Sequence, residues 1–254
     1  RETQTVKRLL AIAGFMAALS GGAMAQETTQ PPADPTTAPA GEATTAADAT
    51  SDAAAPADGQ AADPATIDEP APPQWVGPEV KLETSLGDIL IVLDLQGAPK
   101  TAMQFLNLVK AKHYNGAAVY RIEPGFVIQF GDLDANLKYR PAKLGKVPLE
   151  TANNKHTRGA IALARGDETD SGQSTVYIDL AENTGLGATL EAPPNTTGYA
   201  VFGHVVQGMD IVDTIANVEL ASPDAKHPSG QKYPFPGKFP ATPVVIKKAT
   251  VIKE

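Results

Sequence analysis

The 254 residues hold no cysteine, are 42% hydrophobic and 20% charged, and carry a formal net charge of −8. A cysteine-free chain excludes disulfide frameworks, thiol nucleophiles and thiolate zinc sites. The charge is uneven: nine acids and no base fall between Gln26 and Trp75, whereas residues 76–254 hold 18 bases against 19 acids, so the part of globular composition is almost neutral and lacks the basic face that bulk binding to nucleic acid needs.

In chain order, Lys7-Arg8 precedes the apolar run Leu9 to Leu19, and Ala23-Met24-Ala25 follows. A basic start, a short apolar stretch and an A-x-A site predict a signal peptide over residues 1–25. The run is shorter than the roughly 20 residues a membrane-spanning helix takes. The mature chain is therefore expected to be soluble, without a membrane span after cleavage, and periplasmic or otherwise exported. Arg1 in place of Met fits a trimmed or misassigned start. Residues 26–75 are rich in Ala, Pro, Thr and Asp, with Ile67 and Trp75 almost the only large apolar residues. Such a stretch cannot bury enough apolar surface to offset the entropy of ordering it, which predicts a disordered acidic tether.

Residues 76–254 read as one globular domain, long enough for a substantial core. Val80–Thr84 alternates apolar and polar residues, Ser85–Asp88 supplies turn chemistry, and Ile89–Leu95 is β-rich; together they predict a hairpin. A helix opens at Ala98-Pro99 and carries Ala102, Phe105, Leu106 and Val109 on one face. Strands are predicted over 118–122, 126–130, 159–164, 175–180 and 199–206, a second short helix over 208–216, and a last strand over 244–252. Many short strands, two separate helices and no βαβ rhythm predict a mainly β fold, a closed antiparallel barrel capped by helices.

The usual reactive constellations are missing. The histidines His113, His156, His204 and His227 form no metal-binding pair, no G-x-S-x-G surrounds a serine, and no G-x-G-x-x-G or P-loop occurs. The acidic stretch Gly166–Gly172 lacks the spacing of a calcium loop. Neither a metal nor a cofactor is expected. One segment, Ala118-Val119-Tyr120-Arg121-Ile122-Glu123-Pro124-Gly125-Phe126-Val127-Ile128-Gln129-Phe130-Gly131-Asp132, places an arginine across a Pro-Gly turn from aromatic, aliphatic and amide residues. A bulge in that hairpin would bring Arg121, Phe126 and Gln129 to a common face. On spacing alone, an ordinary hairpin with an exposed arginine fits equally well.

The segment resembles the cyclophilin signature F-H-R-V-I-x-x-F-M-x-Q-G-G-D. Further blocks follow in the family's order: Leu82–Ile89 resembles its first hairpin, Ala98–Thr101 with Phe105-Leu106 its first helix, Arg158–Arg165 its R-G-x-L-A-M-A-R strand, Ser174–Leu180 its S-Q-F-F-I-N-L, and Val201–Met209 its V-F-G-x-V-x-x-G-M. The resemblance spans residues 78–254. It implies an eight-stranded antiparallel barrel capped by two α-helices, and peptidyl-prolyl cis–trans isomerase (rotamase) activity assisting protein folding.

That activity needs no nucleophile, because no bond is made or cut. The barrier, about 18–20 kcal/mol, is loss of amide resonance as the bond twists. A permanently charged donor of fixed geometry, Arg121, suits stabilisation of the twisted amide. By resemblance, Arg121 and Gln129 are the catalytic pair, and Phe126, Val127 and Tyr177 receive the proline ring. Tyr120 and Thr175 join the substrate-binding set at positions where the family carries His and Gln. Gly185 aligns with a tryptophan that contacts cyclosporin in eukaryotic members, and Tyr199 with a histidine. Arg121 is expected as an exposed donor in a cleft. The expected partners are proline-containing unfolded or nascent exported polypeptides, with no nucleic acid, and the expected state is a monomer. The alternative is a non-catalytic cyclophilin-like chaperone or proline-peptide-binding module, which the changes at Tyr120 and Thr175 favour.

Overall fold

The computed structural model describes residues 75–152, 155–189 and 192–254. The expected signal peptide, and the expected tether up to residue 74, lie outside the described residues.

The chain opens with β1 (Glu79–Thr84) and β2 (Asp88–Leu93). Thr84 closes their turn: its hydroxyl donates to the Gly87 carbonyl at 2.6 Å and accepts the Leu86 and Gly87 amides at 3.1 Å. Helix α1 (Pro99–Lys110) begins with proline, whose missing N–H lies where helix amides have no partner anyway. Its start is capped from a distance, since the Glu150 carboxylate accepts the Lys100 and Thr101 amides at 3.2 and 2.8 Å. There follow β3 (Ala117–Glu123), β4 (Val127–Asp134), β5 (Ala160–Leu163), β6 (Val176–Asp179), a 3-10 turn (Thr184–Leu186), β7 (Ala200–Gln207), α2 (Met209–Ala216) and β8 (Val244–Lys253).

The strands close in the order β1-β2-β7-β5-β6-β4-β3-β8, all neighbours antiparallel. This is the expected eight-stranded barrel. Alternation sorts the side chains: Val119, Ile122, Ile128, Phe130, Ile161, Ile178 and Phe202 belong to the main core, on which α1 (Phe105, Val109) and α2 (Val212, Ile215) bury their apolar faces. Burial of each such side chain contributes about 1.5–3 kcal/mol. The intervening residues form a second, outward cluster of Val127, Ala160, Ala162, Tyr177 and Val201.

Two features differ from the sequence reading. Residues 217–243 show no apolar periodicity, yet they fold back so that Tyr233, Phe235 and Phe239 pack with Tyr120 and Leu133 in a third cluster. Short bridges Leu220–Pro240 and Lys226–Lys232 pin this segment. The second difference is Trp75, assigned from composition to the tether: its ring stacks on His204 at 4.9 Å and 6°. The folded unit therefore starts no later than Trp75.

Candidate active site

A bulge creates the site. On β3, Val119 pairs with Phe130 and Arg121 with Gln129, so two residues of β3 span one step of β4. The extra residue is Tyr120. Without it, Arg121 would share the inward face of Val119; with it, Arg121 faces outward beside Gln129. The register then continues from Gln129 to Tyr177, from Tyr177 to Ala162, and from Ala162 to Val201. Arg121, Gln129, Tyr177, Ala162 and Val201 thus form one row across neighbouring strands about 4.8 Å apart. Glu123, Val127 and Asp179 form the next row.

The polar end is a continuous hydrogen-bonded chain. Arg121 donates from Nε and Nη2 to Glu123 Oε1 at 3.1 and 2.6 Å, and from Nη1 to Gln129 Oε1 at 3.2 Å. Gln129 Nε2 donates to the Tyr120 hydroxyl at 3.2 Å, which donates to Asp132 Oδ1 at 2.8 Å. Thr175 also lies within side-chain hydrogen-bonding reach of Tyr120 and Asp132. Lys238 donates to the other oxygen of Glu123 at 3.0 Å. Burial raises the Asp132 carboxyl above its usual range, and the bonds from Tyr120 and Thr175 only partly offset this. Burial likewise pushes the Tyr120 and Tyr177 phenols well above 10, so both remain protonated donors.

At the apolar end, Phe126 packs against the outward cluster that includes Val127 and Tyr177. Phe126 itself belongs to the turn that leads into β4, where its amide donates to the Glu123 carbonyl at 2.9 Å. Behind Tyr177, His156 stacks on its ring at 6.0 Å and bonds through Nδ1 to Asp179 at 2.9 Å. Asn183 ties Asp179 to the turn by donating to its Oδ1 at 2.7 Å and to the Phe126 carbonyl at 2.9 Å. Among the described residues no cluster of His, Asp or Glu is arranged to hold a metal ion.

The seven expected site residues lie together, with two corrections. Arg121 is not exposed: it is 1% accessible, because Glu123 and Gln129 take its donors and the Phe235 ring lies 5.3 Å from its guanidinium carbon. Tyr120 and Thr175 are buried, with their hydroxyls turned to Asp132 rather than to open surface. The sequence reading missed Glu123, Lys238 and Phe235. An acid two residues after Arg121 on the same strand face was the available signal for the first; the other two come from the aperiodic 217–243 segment.

Residues 79–251 match the family described as cyclophilin type peptidyl-prolyl cis-trans isomerase. The chain belongs to this family. It is similar to a peptidyl-prolyl cis-trans isomerase of Acinetobacter baylyi (40% identity, over 56% of this chain and 74% of that one) and to peptidyl-prolyl cis-trans isomerase A of Dickeya dadantii (35% identity, over 69% and 85%). A cyclophilin-type isomerase of Cryptosporidium parvum, solved in the presence of the dipeptide Ala-Pro, shares the fold with a TM-score of 0.50 at 19% identity, over 69% of this chain and 99% of that one. This cyclophilin is thus a peptidyl-prolyl cis–trans isomerase built on the family's barrel.

Proposed function

We propose that Arg121 and Gln129 carry the isomerisation and that Phe126, Val127 and Tyr177 hold the proline ring. The observation that supports this is the single row joining Arg121, Gln129 and Tyr177 across β3, β4 and β6. An X-Pro amide that twists out of plane returns a lone pair to the prolyl nitrogen. A guanidinium N–H aimed at that nitrogen is stronger in the twisted state than in the planar one, which is the condition for acceleration. Gln129 fixes the guanidinium through its Oε1 and keeps a second N–H for the peptide backbone. Tyr120, Thr175 and Asp132 act behind it: the Tyr120 hydroxyl accepts from Gln129 and thereby orients the amide. The rate on an X-Pro peptide, wild type beside Arg121→Ala, tests this assignment. Full rate in the variant would sink it.

The substrates are proline-containing unfolded or nascent exported polypeptides. Export rests on the pattern of residues 1–25, with an acidic tether leading to a monomeric catalytic domain that begins at Trp75. No helix among the described residues is long and apolar enough to cross a membrane. N-terminal sequencing of the protein recovered from an expressing bacterium tests export. Gln26 as first residue is the expected result, and a retained Lys7-Arg8 segment overturns it.

A further inference from the structure

We propose that Glu123, braced by Lys238, is a positioning residue that holds Arg121 ready for the substrate. This rests on the reading of Arg121 as the catalytic donor. In the signature R-V-I-x-x-F the second residue after arginine is apolar; here it is Glu123. A half-buried carboxylate at an apolar position is costly to desolvate and needs partners. Glu123 has two, from different parts of the chain. Arg121, on its own strand, reaches Oε1 from two nitrogens, and Lys238, from the 217–243 segment, reaches Oε2. Among the described residues, Arg121 and Lys238 are the charged groups that act on it.

The arrangement fixes the guanidinium from three sides. Nε and Nη2 end on Glu123, Nη1 ends on Gln129, and Phe235 stands against the guanidinium carbon at 5.3 Å. The segment that carries Phe235 and Lys238 is stitched to β3, since the Ile122 amide donates to the Lys238 carbonyl at 2.8 Å. A guanidinium has five N–H donors in a rigid fork. Three are committed, which leaves one N–H uncommitted on each terminal nitrogen. An arginine without the clamp would have to freeze its rotamers in every catalytic cycle, whereas a pinned one is preorganised.

The clamp requires the carboxylate form. Burial opposes ionisation of Glu123, but the hydrogen bonds from Arg121 and Lys238 outweigh it and hold the carboxyl below its ordinary range. The clamp is therefore complete above the ordinary carboxylate pKa and is lost only as pH falls through the depressed value. Below that, Arg121 loses its anchor.

The experiment measures kcat and KM of the full chain on an X-Pro peptide across pH, for wild type, Glu123→Gln, Lys238→Met and Arg121→Ala, with a thermal melt of each. Glu123→Gln is expected to lose about tenfold to a hundredfold in kcat, the effect of a misplaced group, with KM little changed. Its acid limb should vanish, so that wild type at low pH converges on it. Lys238→Met should move the wild-type acid limb upward. A Glu123→Gln enzyme with wild-type kcat, or with the acid limb intact, overturns the proposal. If that variant does not fold, the limb of Lys238→Met decides: shifted supports the clamp, unshifted refutes it. Full activity in Arg121→Ala would instead defeat the underlying site assignment, and the two failures are thereby distinct.

Discussion

Truncating Arg121 removes more than a donor. Its guanidinium is buried, charge-paired to Glu123 at 2.6 Å and bonded to Gln129, so Arg121→Ala strands Gln129 and leaves Glu123 to Lys238 alone. Hydrogen bonds to charged groups contribute about 1.5–3 kcal/mol, and the surviving Lys238 contact returns part of that. The expected stability loss is about 1–3 kcal/mol, or a few degrees in melting temperature for a domain of this size. An exposed arginine would have cost under about 0.5 kcal/mol. Isomerase rate should fall by a decade or more. Circular dichroism and a thermal melt beside the rate assay separate these effects, and a variant that melts with wild type contradicts the burial. Arg121 and Gln129 were expected together from the family resemblance, since their local spacing around Pro124-Gly125 left an ordinary hairpin with an exposed arginine equally open. Lys238 was not, since 115 residues separate it from Glu123 and no local pattern announces a partner so distant.

Between residue and barrel stands the β3–β4 hairpin, whose irregularities aim the site. Gly131 holds a φ of 138°, and a Cβ there would lie 2.4 Å from the Ser174 carbonyl oxygen and 3.0 Å from the Thr175 Cα. Both obstacles are backbone, so neither can swing aside. Gly131→Ala should therefore cost at least the roughly 1–3 kcal/mol of an unfavourable backbone conformation. It should also push Thr175 from Asp132, loosening the support of Gln129. Denaturant unfolding reads the first effect and peptide isomerisation the second; an alanine variant of native stability would show that the Ser174-Thr175 backbone yields more readily than its geometry implies. The alternation of apolar residues made most strands readable, with boundaries off by at most two residues except at the end of β4, which runs to Asp134, four residues past the expected end at Phe130. The aperiodic 217–243 segment was not readable as structure, because its proline-punctuated aromatics gain order only by lying on Tyr120 and Leu133. Nor was the cap of α1, whose Glu150 acceptor lies 49 residues from the Thr101 amide it receives.

At the scale of the whole molecule, the question is where the barrel begins relative to the expected tether. Composition puts that boundary after Trp75, but packing puts Trp75 in the barrel. Gly77 approaches β2 so closely that a Cβ would sit 2.0 Å from the Leu93 carbonyl oxygen, and the Leu93 amide donates to the Pro78 carbonyl at 2.9 Å. Trp75, just before, covers the His204 ring on β7. Gly159 also approaches the ring, where a Cβ would lie 2.9 Å from His204 Nε2. Burial lowers the His204 pKa, so folded protein takes up this proton less readily than unfolded chain. The sign follows: stability is unaffected above the ordinary histidine pKa of about 6.5 and declines as pH falls below it. Because Trp75 is the sole tryptophan, its emission reports this contact directly. Deleting 26–74 should leave the melting temperature unchanged, whereas Trp75→Ala should lower stability by about 0.5–1.5 kcal/mol, the usual worth of an aromatic pair beyond its buried area. Emission should change with pH around a midpoint below 6.5, and His204→Phe should keep the stack while abolishing that titration. A pH-independent emission shared by wild type and His204→Phe, or a Trp75→Ala variant as stable as wild type, would return Trp75 to the tether.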